Sequence, residues 1–214
     1  MSIADNLARI RAELGAHPDG ARLIAVSKTH PAEAVEEALR AGQRVFGENR
    51  VREARGKFPA LRAIYPDIEL HLIGPLQTNK VEDAVALFDV IQTLDRPKLA
   101  DALATALQKQ AGRKPRFYIE VNIGREAQKS GVAPEALPSF IAYCRTRGLA
   151  VDGLMCIPPQ GEKSQAYFET LRKLAAAHNL PHLSMGMSAD YKIAIACGAT
   201  DVRIGTAIFG RRPA

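Results

Sequence analysis

The chain is poor in cysteine, poor in aromatics and free of long apolar runs, and each shortage removes a class of protein. Its three cysteines, Cys144, Cys156 and Cys197, stand far apart in 214 residues and form no CxxC pair. A disulfide framework would be denser and even in number, and thiolate metal sites come in spaced pairs. The expectation is three reduced, mostly buried thiols in a reducing cytoplasm. No apolar stretch approaches the ~18 residues that a membrane span needs. The first residues, MSIADNLARIRAEL, mix charges with apolar side chains. They suit an amphipathic helix and lack the h-region and cleavage site of a signal peptide. The five histidines show no metal-ligand spacing. Neither GxGxxG nor a P-loop pattern occurs, so dinucleotide and NTP sites have no support.

Aromatic residues make up 6% of the chain and are not interleaved with the basic ones. The net charge of +6, from 29 basic and 23 acidic residues, is spread along the sequence apart from a short Arg211-Arg212 tail. Such a distribution reads as solvated helix faces rather than a nucleic-acid surface. Neither nucleic acid nor membrane is expected as a partner.

What the sequence does contain is alternation. Apolar runs fall near residues 22–28, 44–47, 69–73, 89–93, 116–122, 151–156, 182–185 and 201–204. Helical stretches follow each of them, opened by Pro31, Thr78, Pro97, Pro134 or Ser188 and closed by Gly42, Gly148 or Gly198. Short apolar runs between helices indicate parallel strands with crossover helices, covered on both faces. Eight such units predict an α/β fold, a single small TIM (β/α)8 barrel over residues 1–214, with an extra helix over 3–15. An open doubly wound sheet is the alternative.

In a barrel, function gathers at the carboxyl ends of the strands. Those ends are Lys28, Asn49, His71, Asn122, Met155, residues 184–188 and residues 203–206. Lys28 closes an apolar run. A lysine in a partly apolar mouth is held less strongly in its charged form, and a neutral amine forms a Schiff base with an aldehyde. Position alone favours the plainer alternative, a lysine that snorkels to solvent. At the last strand, Arg203-Ile-Gly-Thr206 offers a glycine for close backbone approach, a hydroxyl, and the N–H groups of a helix start. Ser188, after strand seven, is a second hydroxyl donor. A phosphate would suit this corner, but a tight turn at Gly205 and simple capping by Ser188 explain the same residues.

The same residues carry a resemblance. The chain is similar to the pyridoxal-phosphate homeostasis proteins (the YggS/PROSC family) over essentially its whole length. The marks are Ala25-Val-Ser-Lys-Thr29, Phe46-Gly-Glu-Asn49, His71-Leu-Ile-Gly-Pro-Leu-Gln-Thr-Asn-Lys80 and Ile91-Gln-Thr-Leu-Asp95. Further marks are Asn122 with Glu126, Lys129 and Gly131, then Gly153-Leu-Met155, Leu183-Ser-Met-Gly-Met-Ser-Ala-Asp190 and Val202-Arg-Ile-Gly-Thr-Ala-Ile-Phe-Gly210. The resemblance implies an alanine-racemase-like barrel that carries pyridoxal 5′-phosphate (PLP) as a Schiff base on Lys28. Ser188, Gly205 and Thr206 would hold the phosphate, Arg203 would face the pyridine nitrogen, and Asn49 would lie beside the ring. Lys129 would be a second amine near the mouth. The implied role is intracellular PLP (vitamin B6) homeostasis without established turnover, with the cofactor passed on to PLP-dependent apoenzymes; nothing in the sequence demands a dimer, so a monomer is expected. Pro75 and Gln92 stand where that family commonly has histidine, and the resemblance assigns them no role.

The competing expectation is a PLP-dependent amino-acid racemase. An arginine at the ring nitrogen only donates hydrogen bonds and weakens the electron sink. Racemases of this type add a second β domain that supplies an opposing base. The sequence ends four residues after Gly210, which leaves no expected place for one. No catalytic residue is therefore assigned.

Overall fold

Eight parallel strands close on themselves in chain order, each paired with its sequence neighbours and β8 returning to β1. The computed structural model describes residues 2–15, 20–110 and 112–210. The Arg211-Arg212 tail lies outside them. The strands are β1 (Arg22–Val26), β2 (Val45–Glu48), β3 (Glu69–Leu72), β4 (Val90–Leu94), β5 (Arg116–Val121), β6 (Val151–Cys156), β7 (His182–Ser184) and β8 (Asp201–Ile204). The barrel expected from the sequence is present, and the open sheet is excluded because β1 and β8 pair from Arg22↔Asp201 to Ala25↔Ile204.

The helices follow from amphipathic spacing. α1 (Ile3–Gly15) lies outside the alternation, as expected, and buries Leu7, Ile10 and Leu14, one stripe at the helical period. α2 (Ala32–Arg40) starts behind Pro31, and α3 (Val51–Ile64) carries the buried Lys57. α4 (Val81–Leu87) continues a 3₁₀ turn over Thr78–Lys80, so Thr78 begins that turn rather than capping the helix. α5 (Pro97–Lys109), α6 (Leu137–Thr146) and α7 (Gln165–Ala177) complete the larger outer helices. α8 (Tyr191–Ala196) and α9 (Thr206–Phe209) are short.

The strands have two different faces. Leu70 and Leu72 of β3, Phe117 and Ile119 of β5, and Val202 and Ile204 of β8 join the main apolar cluster with helix residues. Their alternate neighbours meet across the barrel interior: Tyr118 of β5 donates its hydroxyl to Asp201 of β8, and Ser184 of β7 reaches Gln92 of β4. The sequence reading treated the strands as continuous apolar runs. The inward positions of β3, β5, β7 and β8 are largely polar instead, and they are tolerated because they bond to one another.

Candidate functional site

Register places the first candidates side by side. Ile24 pairs with Arg203 and Ala25 with Ile204. The chain segments that leave these strands, carrying Lys28 on one side and Gly205-Thr206 on the other, therefore share one rim. His30, two residues past Lys28, stacks on Phe209 of α9 with ring centroids 5.1 Å apart, which ties the two segments together.

Lys28 is half-buried on a sharp turn. The next residue, Thr29, has φ 65°, a left-handed conformation uncommon for a β-branched residue. Its N–H donates to Glu53 Oε1. Behind the turn sits Lys57 of α3, whose ammonium donates to the carbonyls of Ser27 (3.0 Å) and His30 (3.2 Å) and to the carboxylates of Glu48 (2.5 Å) and Glu53 (2.9 Å). Ser27 Oγ also donates to Glu48 at 2.7 Å. Burial pushes the Glu48 carboxyl up, while Lys57 and the Ser27 hydroxyl pull it down. A cluster of this kind can hold a strained turn in place. Sequence reasoning missed Lys57. Its helix is rich in Arg and Glu, and one inward lysine among surface charges leaves no distinct signal.

Arg203 is 4% exposed. Its Nη1 donates to the carbonyl (2.7 Å) and Oγ (2.8 Å) of Ser184, and its Nη2 donates to the carbonyl of Cys156 (2.8 Å). A guanidinium has five N–H groups, so these contacts leave two for another acceptor. Glu120, on β5, faces the same region. Its carboxyl is pushed up to about 7, chiefly by burial and also by Asp95, against the pull of Arg203.

Gly205 has negative φ, so its freedom to turn is not what matters. A Cβ there would lie 3.1 Å from the Val26 carbonyl oxygen, so glycine lets the turn press against β1. α9 is a single turn of four residues, too short for a helix-dipole contribution. Its first N–H groups still lack intrahelical acceptors. The Thr206 and Ser188 hydroxyls are exposed, and among the described residues neither has a protein partner. Ser188 does not cap α8. Met187 and Asp190 close that turn reciprocally, the Met187 N–H donating to Asp190 Oδ1 (2.7 Å) and the Asp190 N–H to the Met187 carbonyl (3.0 Å). Gly186 ahead of it needs φ 88°, and a Cβ there would strike Ala194 at 2.5 Å. Asn49, after β2, keeps Oδ1 buried without a partner among the described residues.

Other strand-end residues do different work. His71 is fully buried inside the barrel rather than at the mouth. Asn122 spends its amide on the loop that follows, accepting from the Glu126 N–H and donating to the Glu126 carbonyl. Lys129 pairs with Glu126 and donates to the Pro158 carbonyl. All three cysteines are buried free thiols, with Cys144 and Cys156 pushed up to about 12 by burial. No helix among the described residues is long and apolar enough to cross a membrane.

Fold and rim together define a barrel of the alanine racemase N-terminal domain type, and the model of that family matches residues 1–213. The chain is 43% identical to the pyridoxal phosphate homeostasis protein of Pseudomonas aeruginosa, over 99% of this chain and 96% of that one. It is 40% identical to the protein of the same name from Escherichia coli, over 98% and 97%. By these similarities it belongs to the pyridoxal phosphate homeostasis protein family. PipY of Synechococcus elongatus, 40% identical, superposes with TM-score 0.90 without PLP and 0.88 with PLP bound, each over 98% of this chain and 100% of that one. An alanine racemase of Clostridium difficile shares the fold alone, at 16% identity and TM-score 0.75, with 57% of its chain covered.

Proposed function

We propose that this chain binds pyridoxal 5′-phosphate at the carboxyl rim of the barrel, holds it covalently on Lys28, and serves intracellular PLP homeostasis without catalytic turnover. The observation that supports the reading is the pairing of β1 with β8 up to Ala25↔Ile204, which makes the segments carrying Lys28 and Gly205–Thr206 leave the barrel at adjacent strand ends. A relative 40% identical to this chain is described with PLP bound.

The rim suits such a ligand. It presents the Ser188 and Thr206 hydroxyls and Asn49 Oδ1, none of which has a partner among the described residues, together with the N–H groups that open α9. An anionic phosphate takes the donors, and a hydrogen-bond donor on the ligand satisfies Asn49. Arg203 has donors to spare for a ring nitrogen and supplies no acid to it. PLP contributes an aldehyde and a pyridine ring. The neutral Lys28 amine would be the group that condenses with that aldehyde, with water as the leaving group. Another amine reverses the linkage by displacing Lys28. In this reading a cytoplasmic monomer exchanges PLP with apoenzymes.

Absorbance tests this. The purified protein incubated with PLP should show a visible band that Lys28→Ala loses, with any residue of it removed in Lys28→Ala/Lys129→Ala. Equal colour in the Lys28→Ala protein would overturn the assignment.

A further inference from the structure

A chain of side chains runs through the barrel interior from the lower rim to Arg203. Arg203 Nη1 meets Ser184 Oγ at 2.8 Å, and Ser184 Oγ meets Gln92 Oε1 at 2.6 Å. Gln92 Nε2 meets His71 Nδ1 at 2.7 Å, and His71 Nε2 meets Glu69 Oε1 at 2.7 Å. Glu69 Oε1 also accepts from Arg22 (3.0 Å) and Arg116 (2.9 Å). Ser184, Gln92 and His71 are 0% exposed. These residues come from β8, β7, β4 and β3, so the chain crosses the barrel rather than following one wall.

Chemistry at the two ends fixes its direction. Arg203 can only donate. Glu69, held at about 2 chiefly by the His71 hydrogen bond, is a carboxylate and can only accept. His71 therefore donates through Nε2. With one ring proton, its Nδ1 accepts from the Gln92 amide nitrogen. That leaves the Gln92 oxygen to accept from the Ser184 hydroxyl, whose oxygen accepts from Arg203. Every donor points away from the mouth, and each link polarises the next. Only a side chain with a donor and an acceptor side by side, as in an amide, completes the centre in this orientation.

We propose that Gln92 is a positioning residue: by bridging His71 and Ser184 it carries the direction set at the Glu69 end through to Arg203, holds Arg203 as a fixed donor toward the cofactor ring and thereby tunes PLP affinity and the pH at which the visible band titrates. The inference rests on the PLP reading above. Arg203 is also faced by Cys156 on β6, Glu120 on β5, Asp190 ahead of α8 and Asp201 within β8, none of which the variants below alter.

The test is a double-mutant cycle on the full chain. Gln92→Leu cuts the chain at its centre, and Ser184→Ala, a one-atom deletion that preserves packing, cuts it beside Arg203. Each should weaken PLP binding about tenfold, the scale of a lost hydrogen bond to a charged group, and move the titration midpoint of the visible band in the same direction. The double variant should go no further than either single, because one chain can be cut only once. In the PLP-free protein, nitrogen NMR should show His71 Nδ1 as a hydrogen-bonded acceptor in wild type and in Lys28→Ala, and moved toward an unbonded imine nitrogen in Gln92→Leu, with Nε2 still protonated toward Glu69 in all three. Unchanged affinity and midpoint in folded Ser184→Ala, or additive effects in the double variant, would overturn the proposal while leaving PLP binding intact. Failure of the wild type to bind PLP would overturn both.

Discussion

Lys57 is the residue on which the Lys28 turn leans, and it is 7% exposed. Its partner Glu48 is fully buried. Removing one member of a buried pair leaves an uncompensated charge, so Lys57→Met should cost ~3–5 kcal/mol, and adding Glu48→Gln should recover part of that loss. Urea unfolding of the two variants checks it. Glu120 makes a pH-dependent contribution. Its folded value, about 7, lies above the unfolded 4.5, so the folded state keeps a proton that the unfolded state has lost in that window. Stability from this group is complete below about pH 4.5 and declines as pH rises toward 7. Thermal melts of Glu120→Gln should match wild type near pH 4.5 and exceed it increasingly toward pH 8. A gap that narrows with pH would contradict the sign. Lys28, Ser188, Gly205 and Thr206 could be named as candidates because they follow the carboxyl ends of β1, β7 and β8. Lys57 and Gln92 were not, because a buried amine or amide is recognised by partners that lie far away in sequence.

At the scale of elements, the strands were legible because apolar residues recur between helix-opening prolines and helix-closing glycines. Their inward faces were not, although Glu69-Leu-His-Leu, Arg116-Phe-Tyr-Ile-Glu and Asp201-Val-Arg-Ile all alternate polar with apolar. Period-two alternation ordinarily marks a strand wet on one face. Here the polar face looks into a closed interior where the partners come from opposite strands. The turn before α8 shows how a correct element can hide a wrong detail. Ser188 precedes the helix as a cap would, yet Asp190 closes the turn. Ser188→Ala should therefore change stability by less than ~0.5 kcal/mol while weakening PLP binding. Asp190→Ala should cost ~1 kcal/mol in stability through loss of the hydrogen bond from the Met187 N–H. Denaturant titration and PLP titration of the two variants separate these roles.

For the whole molecule, the choice is between carrier and racemase. The chain covers 57% of the Clostridium difficile alanine racemase, and the two share a fold. A racemase needs a base within hydrogen-bond reach of the proton that it abstracts. Incubation of PLP-loaded protein with L-amino acids in heavy water should give no Lys28-dependent α-deuterium exchange above that of free PLP, and rapid exchange would favour the racemase. The central claim is narrower than either role: one amine at the β1 rim forms the link. Borohydride reduction of the PLP-loaded protein, followed by mass mapping of the labelled peptide, reads that amine directly. The label should fall on Lys28, in the peptide that spans Ala25-Val-Ser-Lys-Thr29. A label on Lys129 or Lys57 with Lys28 unmodified would contradict the account.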